Sequence, residues 1–193
     1  MSSTSSSTGA APGRFAALEA LRHRDFRLLW FGQLVSTAGS QMRIVAVNVQ
    51  VYELAKRGGP IDPALALGLI GLARAVPLVL MALLSGLVAD RADRRMILLV
   101  TTIGALISSA VLAIASEFAN PSLWLVYAMV ILAAVVGAFE MPARQALVPA
   151  LVPASILPNA LSLNIIAWQL ATIVGPTLAG ILIAWGGVAP VYW

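Results

Sequence analysis

The chain has 193 residues, of which 60% are hydrophobic and 10% are charged, and its mean hydropathy is +0.93. A soluble domain averages about 25% charged residues, so this composition argues against a soluble enzyme or a disordered regulator. The net charge of +4 does not indicate nucleic-acid binding, because most arginines lie at the edges of apolar runs. The absence of cysteine excludes disulfides and thiolate metal sites. The composition predicts an all-α integral membrane protein.

The first residues divide into two segments. Residues 1–13 are rich in Ser, Thr and Gly and predict a disordered cytoplasmic tail. Residues 14–27 predict an amphipathic juxtamembrane segment that turns Arg22, Arg24 and Arg27 toward lipid headgroups. The remainder, residues 28–193, predicts one transmembrane bundle.

Five apolar segments are long enough as helices to cross a hydrocarbon core of about 30 Å. We expect these spans at about residues 28–54, 64–89, 96–116, 123–140 and 161–187. Several prolines between the last two spans predict a loop or interfacial segment there; they are Pro142, Pro149, Pro153 and Pro158. Residues 188–193 begin a further apolar segment, and we therefore expect a fragment of a larger bundle.

The distribution of Lys and Arg predicts the orientation in the membrane. One side holds eight of them, Arg14, Arg22, Arg24, Arg27, Arg91, Arg94, Arg95 and Arg144, and the other holds Lys56 and Arg57. This asymmetry places the N-terminus in the cytoplasm of a multi-pass protein of the inner or plasma membrane.

The first span has a wide polar face. At 100° per residue, one half of the helical wheel holds Gln33, Ser36, Thr37, Ser40, Gln41, Arg43, Asn48 and Gln50. Such a face lines a wet cavity or makes hydrogen bonds to neighbouring helices. We favour the cavity and predict Gln33, Ser36, Ser40, Arg43, Gln50 and Arg74 as its substrate-facing residues.

Arg43 and Arg74 lie within spans, each roughly 15 Å from a helix end. An arginine at this depth costs about 2.5–3.5 kcal/mol on insertion scales, so it pairs with another group or lines a water path. Two cations at similar depth suit an anionic or carbonyl-rich ligand. Alternatively, they pair with acids of a missing half or with helix C-termini.

Two further motifs have unusual spacing. The run GLVADRADRR, residues 86–95, combines Gly86 and Asp90 with a basic cluster of Arg91, Arg94 and Arg95. In the fifth span, Gly175-Pro176 predicts a helix kink, and Gly180 adds a small residue one turn later.

These motifs resemble the N-terminal half of a major facilitator superfamily (MFS) transporter. Residues 86–95 resemble the signature between its second and third helices, with Asp93 where the pattern usually has Gly. Gly175-Pro176 and Gly180 resemble the antiporter signature of the drug-exporting branch. Two segments are similar to sequences of the branch that contains macrolide and siderophore exporters; they are RDFRLLWFGQLVSTAGSQM and FEMPARQALVPALVP.

The resemblance implies five full transmembrane helices, the start of a sixth, and alternating access against a missing C-terminal half. It assigns a conformational latch to Asp90 and Arg91, with Glu140 pairing with the arginine cluster. It also implies proton-coupled antiport, driven by a proton gradient without a cofactor or metal. Drug antiporters of this superfamily often carry an arginine within the fourth helix, whereas the predicted fourth helix has only Glu140.

The sequence therefore predicts a secondary-active exporter of small amphiphilic molecules, with the lipid bilayer and the missing half as its other partners. The alternative is a truncated, non-transporting membrane protein or a scaffold. An enzyme is not expected, because no carboxylate pair, histidine cluster or serine–base arrangement is present.

Overall fold

The computed structural model describes residues 20–58, 60–89, 94–118 and 121–193. Helices and their short connections make up this part of the chain, which contains no strand. The helices are α1 (Arg24–Lys56), α2 (Pro63–Ala89), α3 (Arg94–Phe118), α4 (Leu123–Leu151), α5 (Leu157–Gly186) and α6 (Ala189–Tyr192). The prediction of an all-α fold with membrane-spanning helices is confirmed for this part of the chain.

Four of the described helices, α2 to α5, are long and apolar enough to cross a membrane. Their outer surfaces expose large apolar side chains such as Leu72, Val79 and Ile173. Exposed apolar side chains on this scale are expected where lipid, and not water, is the solvent. At 33 residues α1 is also long enough, but its composition is more polar.

The most extensive helix contact joins α1 to α5. Near one end of this contact, the indole Nε1 of Trp30 donates a hydrogen bond of 2.8 Å to the carbonyl of Leu163. Further along, Gly175 brings the two backbones together, because an added Cβ would lie 2.7 Å from the carbonyl oxygen of Ala38. The helix most polar in composition is thus held against another helix by close packing and a buried hydrogen bond.

The fourth helix packs on α2 and α3 and completes the bundle. The hydroxyl of Tyr127 donates a buried hydrogen bond of 2.7 Å to the carbonyl of Ala66 in α2. Gly104 of α3 leaves room for the side chain of Val136, because a Cβ added to this glycine would lie 2.9 Å from a methyl carbon of the valine. These contacts align α1 to α4 around the space in which the intramembrane arginines lie.

The expectation of a loop around Pro142 and Pro149 is wrong, because α4 continues through both residues to Leu151. Each proline removes one backbone hydrogen bond from the helix. In a membrane bundle a helix tolerates this loss, since neighbouring helices and side chains satisfy the freed carbonyls and lipid offers no competing partner. The only non-helical break in this region of the described chain falls at Val152 and Pro153, before a 3₁₀ turn at Ala154–Ile156.

Of the predicted juxtamembrane segment, the structure describes residues 20–27. Ala20–Arg22 form a 3₁₀ turn, and α1 begins at Arg24. Phe26, fully buried, packs with Trp30 and Val148 in a cluster between α1, α4 and α5. At the other end, Gly187 follows α5 with a φ of 77°, a left-handed conformation that favours glycine, and α6 comes next. Residues 1–19, including the predicted tail, lie outside the described residues.

Candidate substrate cavity

A cavity of about 210 Å³ lies between α1, α2, α3 and α4 in the described part of the bundle. Three of the predicted residues, Ser40, Arg43 and Arg74, line it together. The rest of its wall is apolar and consists of Ile44, Val47, Leu78, Leu112, Met129, Val130, Ala133, Ala134 and Gly137. No Asp or Glu is among the described residues that border it.

Arg43 is bound to the neighbouring helix α3. Its Nη1 donates a hydrogen bond of 2.6 Å to the hydroxyl of Ser108 and a longer one of 3.4 Å to the carbonyl of Ala105. Ser108 is fully buried and itself donates to the carbonyl of Ala105. A helix carbonyl and a hydroxyl therefore solvate part of the guanidinium, as expected for an arginine at membrane depth.

Arg74 has no hydrogen-bond or ion-pair partner among the described residues. It lies in the middle of α2, one turn before Pro77. Pro77 cannot donate a backbone hydrogen bond, so the carbonyl of Ala73 lacks its usual helical partner. Of the two arginines that line this cavity, Arg74 is the one with no guanidinium donor engaged by the described residues.

The other predicted cavity residues lie elsewhere along α1. The hydroxyl of Ser36 accepts a hydrogen bond of 3.2 Å from Nη2 of Arg144. Gln50 is buried in a network in which it donates to Ser116 of α3 and accepts from the hydroxyl of Tyr192 of α6. The structure thus separates Ser36 and Gln50, together with Gln33, from the cavity that holds the two arginines.

Gln33 borders a second cavity of about 220 Å³ between α1, α4 and α5. Its other lining residues are Met141, Arg144, Gln145, Asn164, Ile165 and Trp168. Asn164 and Trp168 do not stand out in the sequence, since isolated polar or aromatic residues are common in membrane helices. Asn164 and Trp168 are one helical turn apart, so the sequence indicates that they share a face of the helix. No sequence rule shows that this face lies beside Gln33.

Of the predicted latch, the structure describes only part. Glu140 forms an ion pair with Arg144 one turn further along α4. Asp90 and Arg91 lie outside the described residues, as do the side chains of Arg94 and Arg95 and the surroundings of Gly86. The contact between Glu140 and the arginine cluster therefore stays a prediction.

The fourth helix does contain an arginine. The predicted fourth span ends at about residue 140, but α4 extends to Leu151 and includes Arg144. The expectation that Glu140 is the only charged residue of this helix is wrong, because the prolines that suggested a helix end are accommodated within α4.

The three residues of the predicted kink motif have different surroundings. Gly175 is buried against Ala38 and Gln41 of α1, whereas Gly180 is exposed, and a Cβ added to it would have no neighbour within 4 Å. Pro176 follows Gly175, and α5 continues through it from Leu157 to Gly186. Close helix approach is thus a property of Gly175 and not of the whole motif.

Several long apolar helices around a cavity that is lined by arginine side chains define a multi-pass membrane protein. The family described as "Transmembrane secretion effector", within the MFS, matches residues 15–193. The chain belongs to this family.

Curated relatives have related names. The chain is 27% identical over 162 residues to the uncharacterized MFS-type transporter YfiS of Bacillus subtilis, covering 83% of this chain and 36% of that protein. It is 30% identical over 124 residues to the staphyloferrin A transporter of Staphylococcus aureus, covering 63% and 31% of the two chains. It is 28% identical over 167 residues to the enterobactin exporter EntS of Salmonella choleraesuis, covering 86% and 39%.

The matched region therefore spans less than two-fifths of the length of these relatives. No solved structure matches the chain significantly.

Proposed function

We propose that this chain forms the N-terminal half of a secondary-active exporter of small amphiphilic molecules in the cell membrane. The names of the relatives, which include siderophore transporters and a macrolide efflux protein of Streptococcus pyogenes, support export as the direction of transport. The N-terminus of the proposed exporter lies in the cytoplasm, in keeping with the excess of Arg on that side.

The cavity that holds Arg43 and Arg74 supports an anionic or carbonyl-rich substrate. Arg74 has free donors there, Arg43 adds a second positive charge, and no described acid borders the cavity. In an apolar surrounding, a charge-assisted hydrogen bond to an oxyanion is worth more than it is in water. The unpartnered guanidinium of Arg74 is the single observation on which this substrate class depends.

Transport proceeds by alternating access, in which the bundle moves against a second bundle supplied by the rest of the protein. The charged run around Asp90 and Arg91 would hold one state closed, together with Glu140. Protonation of an acid within this group would then shift the equilibrium between the two states of the transporter. A proton acts here as a ligand, which favours the state that binds it more tightly. Asp90→Asn in the complete protein is expected to abolish efflux while leaving the protein in the membrane.

The test uses proteoliposomes that contain the complete protein and the trapped anionic dye carboxyfluorescein. We expect a pH gradient to accelerate release of the dye over that from protein-free vesicles. Arg74→Gln should slow this release by about tenfold, because a hydrogen bond to a charged group contributes about 1.5–3 kcal/mol. Arg57→Gln is the matched control, since Arg57 is exposed beyond the end of α1.

Two results would overturn different parts of the proposal. Release equal to that of protein-free vesicles, with and without the gradient, would contradict proton-driven export of anions. Normal release by the Arg74→Gln protein would leave export intact but remove the assignment of the cavity.

A further inference from the structure

The second cavity, between α1, α4 and α5, is bordered by three residues that each carry a polar atom without a hydrogen-bond partner. Gln33 Oε1, Asn164 Oδ1 and Arg144 Nε are all buried and have no hydrogen bond within the described part of the chain. Gln33 is only 7% exposed, and all three residues border the same cavity of about 220 Å³. Buried polar groups are nearly always hydrogen-bonded, so three orphan atoms around one space indicate a missing partner.

The charge of this cavity differs from that of the cavity that holds Arg43 and Arg74. Glu140 neutralises Arg144 through an ion pair, and Ser36 accepts a further hydrogen bond from the same guanidinium. The remaining polar lining consists of the uncharged amides of Gln33, Gln145 and Asn164. An anion would compete with Glu140 for Arg144, and a cation would face its positive charge. The described lining therefore favours a neutral guest.

The unpartnered atoms also define the hydrogen bonds that a guest must make. Two of them are acceptors, Gln33 Oε1 and Asn164 Oδ1, and the third, Arg144 Nε, is a donor. A carboxamide offers both N–H donors and a carbonyl acceptor in one plane. Because an amide side chain can turn about its last bond, Gln33 and Asn164 can present either end to such a group.

The apolar part of the lining provides a surface for a ring. Trp168 and Ile165 of α5 and Met141 of α4 border the same cavity. An indole ring packs well against a flat aromatic group, and methionine adapts to irregular shapes. A cavity of this volume corresponds to roughly seven water molecules at about 30 Å³ each, which is room for one substituted six-membered ring.

We infer that the cavity formed by Gln33, Arg144, Asn164 and Trp168 is a second binding site, which takes a neutral aromatic carboxamide or a group of the same hydrogen-bonding pattern. This site is independent of the arginine cavity, because the two share no lining residue among those described. Its existence does not require transport.

The experiment compares benzamide, benzoate and benzamidine, which have one shape and three charges. Each is titrated into the purified protein while tryptophan fluorescence is recorded, with a Trp168→Phe variant to identify the responding residue. We expect saturable quenching by benzamide, with a Kd at least tenfold lower than those of the two ions. The signal should be lost in the Trp168→Phe protein.

Two amide variants test the assignment of the site. Gln33→Leu and Asn164→Leu should each weaken benzamide binding about tenfold or more, since each removes one buried hydrogen-bonding group from the site. Gln169→Leu is the matched control, because Gln169 is an exposed amide of α5, the helix of Asn164, and does not border the cavity. Thermal unfolding of each variant confirms that it is folded.

Equal affinity for the three probes, no saturable signal, or unchanged binding by both leucine variants would overturn the inference and leave water as the occupant. Because the assay measures binding alone, a protein that fails to export dye can still confirm this site. Conversely, normal export with no benzamide binding would contradict only this inference.

Discussion

At the scale of single residues, the two intramembrane arginines have different surroundings. Arg43 is hydrogen-bonded to Ser108 and Ala105, whereas Arg74 has no partner in the described part of the chain. Their depth within the spans could be predicted from the sequence. The partner of Arg43 could not, because it is a serine 65 positions away whose only distinguishing property is its position on the facing side of α3.

Single side chains also hold the wall of the arginine cavity together. Tyr127 of α4 is buried, and its hydroxyl donates to the carbonyl of Ala66 in α2. Tyr127→Phe is expected to lower the free energy of unfolding by about 0.6 kcal/mol, and at most by about 1.7 kcal/mol, the mean and the maximum found for hydrogen bonds between membrane helices. Denaturation of the purified protein in detergent measures this loss.

The same substitution at Tyr52 is the control for this prediction. Tyr52 is exposed on α1, with the ammonium group of Lys56 at 5.9 Å from its ring centre. Because the ring is retained in Tyr52→Phe, we expect no measurable change in stability. An equal loss in both variants would show that the Tyr127 hydroxyl contributes nothing specific to the α2–α4 contact.

At the scale of helices, the glycines of α5 differ in what they allow. Gly175→Ala would place a methyl group 2.7 Å from both the carbonyl oxygen of Ala38 and the Cβ of Gln41. Since one of these atoms belongs to the backbone, α5 and α1 must separate, at a cost of about 1–3 kcal/mol. We expect a corresponding decrease in the thermal unfolding temperature and a loss of efflux activity.

Gly180→Ala makes the identical change further along the same helix, where nothing lies within 4 Å of the added methyl group. Replacing a mid-helix glycine with alanine favours the helix by roughly 0.5–1 kcal/mol, so this variant should be as stable as the parent or more stable. If the Gly175→Ala protein unfolded at the same temperature as the Gly180→Ala protein, close approach of α1 and α5 would not depend on Gly175.

Helix boundaries show where sequence rules fail in this chain. Long apolar runs predict α2, α3 and most of α5 with little error, because hydropathy and length are sufficient in a membrane. The predicted end of α4 falls eleven residues short, since Pro142 and Pro149 suggest breaks in the helix. Proline disrupts helices because it lacks a backbone N–H and its ring clashes with the preceding turn. Within a membrane bundle, neighbouring helices and side chains satisfy the freed carbonyl, so the helix continues. This error placed Arg144 beyond the end of the helix, so its side chain was not predicted to border a cavity.

At the scale of the whole molecule, cavities form only when helices distant in sequence meet. The polar face of α1 was evident from its sequence, but it is divided among three environments. Ser40 and Arg43 border one cavity, Gln33 borders another, and Gln50 lies in a hydrogen-bonded network with α3 and α6. A helical wheel assigns a face to each residue, but only the packing of neighbouring helices determines what that face contacts.

The orientation of the bundle follows from its charge asymmetry and can be tested directly, because the chain contains no cysteine. Glu117 is near the end of α3, Ser155 is in the turn before α5, and both are exposed. The predicted topology places them on opposite sides of the membrane. In intact cells, a membrane-impermeant maleimide should label Glu117→Cys and leave Ser155→Cys unlabelled until the membrane is permeabilised. This result follows if the side with eight Lys and Arg residues faces the cytoplasm, as these residues resist translocation. The reverse pattern would invert the bundle, so that the proposed latch around Asp90 would close the outer side and the direction of the proposed export would have to be reassigned.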